Sequence, residues 1–149
     1  MPPFRFKLST LQRLRENERD ERRSRLADAQ RAEDIVNARI ADIDAELGRL
    51  RDETGRRSRP GRMDVDALME VQRYELLLKA ERQAAVQQRE LVATEVERRR
   101  EALVLADREV RVLERLRETQ QARHRQGEER QERKVLDEIA TQGFSRKER

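Results

Sequence analysis

His124 is the only histidine of the chain, there is no cysteine, and 31 carboxylates stand against 35 Lys and Arg side chains. A lone imidazole with one carboxylate at helical ligand spacing, Glu128, falls short of the three or four ligands a metal site needs, and no thiolate or disulfide is available. His124 therefore reads as a solvated helix residue. None of the five glycines precedes a Lys-Ser or Lys-Thr pair, so no phosphate-binding loop is present. Carboxylate pairs abound, but a chain that is 44% charged and 3% aromatic offers them no apolar pocket to shift their pKa values. The expectation is a protein that is not an enzyme and uses no cofactor or metal.

Two arginine clusters are the other chemical feature. Arg56, Arg57, Arg59 and Arg62 carry no acid among them, and Arg98, Arg99 and Arg100 follow one another directly. Such clusters can meet phosphates, yet no aromatics are interleaved for base stacking and no nucleic-acid motif surrounds them. A solvated surface is the preferred reading, and no nucleic-acid partner is expected.

The elements that position these residues are helices. Val36, Ile40, Ile43, Leu47 and Leu50 are spaced alternately four and three, and the same register reaches back to Ala29 and Leu26. That is a heptad seam, which under-winds a helix and gives a left-handed supercoil with a partner. A second seam runs Leu68, Val71, Glu75, Leu78, Arg82, Ala85, Arg89, Val92, Val96, Arg99, Leu103, Ala106, Val110, Leu113. Between the two lie Gly55, Pro60 and Gly61; Pro inside a helix costs about 3 kcal/mol and Gly about 1. The fold class expected is all-α: two long helices in an antiparallel left-handed coiled-coil hairpin, the second longer and overhanging.

The boundaries expected are an N-terminal arm over 1–8, helix 1 over 9–53, a turn over 54–63, helix 2 over 64–141 and a tail over 142–149. Ser9 and Gln12 have capping-box spacing, Asp64 suits the N-cap of helix 2 with Met63 and Leu68 as its staple, and Gly143 suits a C-cap. Pairing the seams about the turn sets Leu50 against Leu68, Leu47 against Val71, Ile40 against Leu78, Leu26 against Val92 and Leu8 against Val110. The stretch from Arg15 to Arg25 has no apolar residue and must rely on weak i,i+4 ion pairs. Residues from about Leu116 to Ala140 then project as single helix, on the order of 35 Å.

Two apolar surpluses remain. One is the projecting end, with Leu113 and Leu116 before its polar run and Val135, Leu136 and Ile139 after it. The other follows the turn, where Tyr74, Leu77, Ala80 and Ala84 lie beside the seam; they either widen the buried arc or form an exposed stripe for a partner. No apolar run approaches the roughly 18 to 20 residues of a membrane span, and the start, MPPFRFKLST, lacks a signal-peptide core. A cytoplasmic protein is expected.

The two ends carry a family likeness. FRFKLSTLQRLRENERDE and VLERLRETQQARHRQGEERQERKVLDEIA resemble the opening and closing signatures of the flagellar export protein FliJ family. The likeness rests on Phe4, Arg5, Phe6, Leu8, Leu11 and Arg15-Glu16, then on Leu113, Glu114, Leu116, Lys134, Leu136, Asp137 and Glu138. Arg133-Lys134 departs from the Gln-Lys that often precedes Leu-Asp-Glu in the family.

The resemblance implies a non-enzymatic stalk and coupling factor of the flagellar type III protein export apparatus, similar to the central stalk of rotary ATPases. Its partners would be the export ATPase hexamer, the cytoplasmic part of the membrane export gate and export chaperones; alone it would be monomeric. It would sit at the inner face of the cell membrane at the flagellar base. Carried over, ATPase binding falls to Phe4, Phe6, Leu8, Leu11, Leu113, Leu116, Leu136, Asp137 and Ile139, and gate binding to Tyr74, Leu77, Ala80 and Ala84. The alternatives are a dimeric scaffolding coiled coil whose turn binds RNA or an acidic surface, and the equivalent stalk of a virulence-type secretion system.

Overall fold

In the computed structural model, residues 2–57 and 64–148 are described, and they form two helices and no strand. Helix α1 spans Ser9–Arg57 and α2 spans Val65–Lys147. The second helix is the longer and packs antiparallel against the first, as a helical hairpin. Pro60, Gly61 and the staple residue Met63 lie outside the described residues.

Both helix ends run further than the glycines suggest. Helix α1 continues through Gly55 to Arg57, not stopping at residue 53, because a single Gly weakens a helix by only about 1 kcal/mol and Arg56 and Arg57 sit where the macrodipole favours cations. Helix α2 likewise passes residue 141 and Gly143 to end at Lys147, again with Arg146 and Lys147 in its last turn. Gly143 has no left-handed φ, so it is a helical residue and not a C-cap.

The starts are set by local hydrogen bonds. Asp64 caps α2: its Oδ1 accepts from the Asp66 N–H at 3.1 Å and its carbonyl accepts from the Leu68 N–H at 3.1 Å. At α1 the capping box does not form. The Gln12 N–H donates to the Leu8 carbonyl at 2.8 Å, and the buried Gln12 side chain accepts from Arg117 Nη1 at 3.4 Å.

The chain divides into two compact units, one of Glu21–Leu103 and one of the residues up to Asp20 with those from Val104 on. In the first unit the core is a row of small clusters. Ile43, Leu47 and Leu78 meet with Leu50; Val36, Ile40 and Ala85 meet with Val86 and Val92; Leu26, Ala29 and Val96 meet with Val92 and Leu103. The seam residues are those expected, but the register is displaced by about one helical turn: Ile40 belongs with Ala85, and Leu78 with Ile43 and Leu47. With α1 reaching Arg57 and α2 starting at Val65, facing positions sum to a higher number than boundaries at 53 and 64 imply. A slip of one turn keeps each apolar residue on the same face, so the seam pattern does not resist it.

In the second unit Phe6, Gln12, Val110 and Leu113 are buried, and Val110 is 1% exposed. Phe6, from the arm, is buried, whereas Leu8, expected in the seam opposite Val110, is 38% exposed. The arm runs on past the start of α1 to His124 of α2, since extended chain advances about 3.3 Å per residue and helix about 1.5 Å. Single helix therefore begins later than Leu116. Every residue from Glu129 to Glu148 is exposed.

Because the core is one row wide, its members should dominate stability. Ile40→Ala is expected to cost about 2–5 kcal/mol. Gly48→Ala, whose added Cβ meets nothing within 4 Å, should instead stabilise by about 1 kcal/mol, or about 2–4 °C in Tm. Thermal melts followed by circular dichroism check both.

Candidate interaction surfaces

Three places combine exposure with chemistry. The first is the arm on α2. His124 Nε2 lies 3.2 Å from the Pro2 carbonyl, its ring meets Phe4 at 5.7 Å between centroids, tilted 58°, and its Nδ1 lies 3.6 Å from Glu128 Oε1. His124 is thus a docking residue for the arm, not a merely solvated one. Nothing in its local sequence signals this, because its partners Pro2 and Phe4 come from the other end of the chain.

The residues assigned to one tip differ in how far they are covered. Phe6 and Leu113 are buried; Phe4 and Leu11 are half-buried; Leu8 and Leu116 are 38% and 37% exposed. Phe6, buried within the arm, therefore helps to hold the arm down, and surface contact falls to the more open side chains.

The second place is the free end of α2. Leu136 is 65% exposed, Ile139 59% and Val135 48%. With 3.6 residues per turn these three share one face, while Asp137 is turned about 100° from Leu136 and about 160° from Ile139. Asp137 thus stands on the side of Arg130, Arg133 and Lys134. The apolar face carries Glu128 and Glu132, which line a shallow groove with Gln131, Val135 and Leu136. Apolar residues are consequently rimmed by acids, with the cations behind.

The third place is the stripe after the turn. Leu76 and Leu77 are 67% and 56% exposed, and Ala80 and Ala84 are exposed as well, so the stripe does not widen the buried arc. Tyr74 turns toward α1, where its hydroxyl donates to Glu46 Oε1 at 2.6 Å; that bond and the neighbouring carboxylate push the phenol pKa up. Leu91, 74% exposed, falls on the same face as Leu77, Ala80 and Ala84 and extends the stripe. Its signal was the seven-residue repeat Leu77, Ala84, Leu91.

Charged seam positions are settled by pairs that do not need burial. Arg82 Nε donates to Asp44 Oδ1 of α1 at 2.6 Å, which holds the Asp44 carboxyl below its ordinary range. Glu95 accepts from Arg98 and Arg99 at 2.7 and 2.8 Å, and these bonds lower its pKa from 4.5 to about 2. Among the described residues there is no group of three or more potential metal ligands and no helix long and apolar enough to cross a membrane.

These features define a helical hairpin that exposes two apolar helix faces. The family is narrower: the flagellar FliJ protein profile matches residues 4–149, and the chain belongs to that family. Membership implies a role related to flagellar export. Searches of curated proteins and of solved structures return no match.

Two outcomes are expected from this geometry. Phe6→Ala should release the arm and speed trypsin cleavage after Arg5 and Lys7 by about ten-fold or more, read by mass spectrometry, with little change in hairpin helicity. A depressed folded-state pKa makes the Glu95 contribution fully present above its ordinary value of 4.5 and lost as pH falls toward about 2. Glu95→Gln should accordingly flatten the fall in urea midpoint across that window.

Proposed function

We propose that this protein is a non-enzymatic stalk and coupling factor of the flagellar type III export apparatus, which promotes hexamer assembly of the export ATPase and links it to the membrane export gate. The observation that carries this reading is the family match across residues 4–149. Support comes from the free end of α2, where Val135, Leu136 and Ile139 are exposed on one face of a helix with no intramolecular cover. A monomeric soluble hairpin rarely leaves such a face open without a partner. The ATPase contact in this reading uses the apolar face of Leu136 and Ile139, with Asp137 contributing from the adjoining cationic side of the helix. Leu8, Leu116, Phe4 and Leu11 add the half-open rim, and the buried Phe6 and Leu113 act from beneath.

Gate binding is assigned to Leu77, Ala80 and Ala84, bounded by Tyr74. Two alanines let a partner helix approach the α2 backbone closely while Leu77 supplies the apolar anchor. Export chaperones are further partners of the same reading. The protein then works in the cytoplasm, peripheral to the inner face of the cell membrane.

Mixing the chain with purified export ATPase should raise both the hexamer fraction, seen by mass photometry, and ATP turnover. Leu136→Asp with Ile139→Asp should remove both effects and leave the thermal melt unchanged, because neither side chain is in the seam. Stimulation that survives the double change would sink the tip assignment. Leu77→Asp should leave ATPase stimulation intact and abolish capture of the gate's cytoplasmic part.

A further inference from the structure

The α1 stretch from Arg15 to Arg25 breaks the rule that builds the rest of the hairpin, since it contributes no apolar residue to the seam. Sequences that forgo local stability at one place commonly do so at a functional site. Within the Glu21–Leu103 unit this stretch borders a groove lined by Arg22, Arg25 and Asp28 of α1 and by Arg98, Arg99 and Ala102 of α2. Four guanidinium groups from two helices thus share one concave surface.

Their charges are not cancelled internally. Arg98 and Arg99 share the single carboxylate of Glu95, leaving one positive charge over. Arg25 is paired with Glu21 at 2.5 Å, and Asp28 is engaged by Arg31. Arg22 makes no ion pair among the described residues. The groove therefore holds a surplus of two cations. Arg99 is fixed in place by a further bond, Nη1 to the Arg25 carbonyl at 2.7 Å, which ties the α2 side of the groove to α1. Arg98, by contrast, is 76% exposed, and its bonds to Glu95 lie at the surface, where an incoming carboxylate can compete for its guanidinium.

We propose that this groove binds a short acidic segment of another protein through two or more of its carboxylates. Guanidinium forks match carboxylates, and the Glu95 pair already displays that geometry. A nucleic acid fits less well. No aromatic side chain lines the groove for stacking, and Asp28 in its lining interrupts the cationic surface that an extended row of phosphates would follow. The surface is independent of the export reading, for it shares no residue with the free end of α2 or with the stripe.

The test is fluorescence anisotropy on the full chain with a labelled peptide of alternating Glu and Ala, alongside a labelled single-stranded oligonucleotide and inorganic triphosphate as competitor. Saturable peptide binding is expected, weakened about ten-fold or more by Arg22→Ala with Arg98→Ala and by raising salt from about 50 to about 300 mM. Both side chains are exposed, so helicity by circular dichroism should match the parent. A second variant, Arg56→Ala with Arg57→Ala, should bind the peptide as the parent does. The proposal is overturned if the peptide does not bind, if the Arg22/Arg98 change leaves binding intact, if the Arg56/Arg57 change weakens it equally, or if oligonucleotide or triphosphate displaces the peptide at lower concentration.

Discussion

One row of apolar contacts holds α1 to α2. With 44% of the residues charged, the buried side chains among the described residues are confined to a file from Leu26 and Val96 to Leu47 and Leu78 in one unit and to Phe6, Gln12, Val110 and Leu113 in the other. Each member buries only its own side chain, so the hairpin is a sum of small contributions along its length and not one cooperative core. This explains why charged residues are tolerated at seam positions. Arg82 and Glu75 need only lean outward to reach Asp44 and Lys79, and no buried side-chain polar atom lacks a partner among the described residues.

A narrow seam also leaves most of each helix surface outside it, and what those surfaces carry then becomes informative. Alternating charge along the outer faces is what keeps such a helix soluble. Leu77, Ala80, Ala84 and Leu91 interrupt that pattern on one face of α2, as Val135, Leu136 and Ile139 do at its free end. The arm is a third departure. An extended segment covers helix at about twice the rate per residue of another helix, and so a few residues from Pro2 to Leu8 suffice to carry Phe6 and Phe4 along α2 as far as His124.

Much of this was legible in the sequence because heptad spacing is a local property. Alternating three- and four-residue intervals identified the seam residues, and Asp64 marked its cap through a bond to its own near neighbour. Register was not legible to better than one helical turn, since Ile40 can meet Leu78 or Ala85 without changing face and only the length of the turn decides. Long-range roles were also hidden. Gln12 looks like a capping residue until Arg117 takes its side chain, and His124 looks solvated until the arm arrives. The family resemblance groups Asp137 with Leu136 and Ile139, whereas helical geometry turns Asp137 away from both.

The separation between seam and exposed faces bears on how a partner could bind. If partner surfaces drew on the same residues that hold the hairpin together, every binding event would trade against folding. Leu77, Leu136 and Ile139 make no contribution to the buried row, so a partner can cover them without opening it. Binding energy at either face is then retained in full, and helix α2, continuous from Val65 to Lys147, connects both faces through unbroken backbone hydrogen bonds.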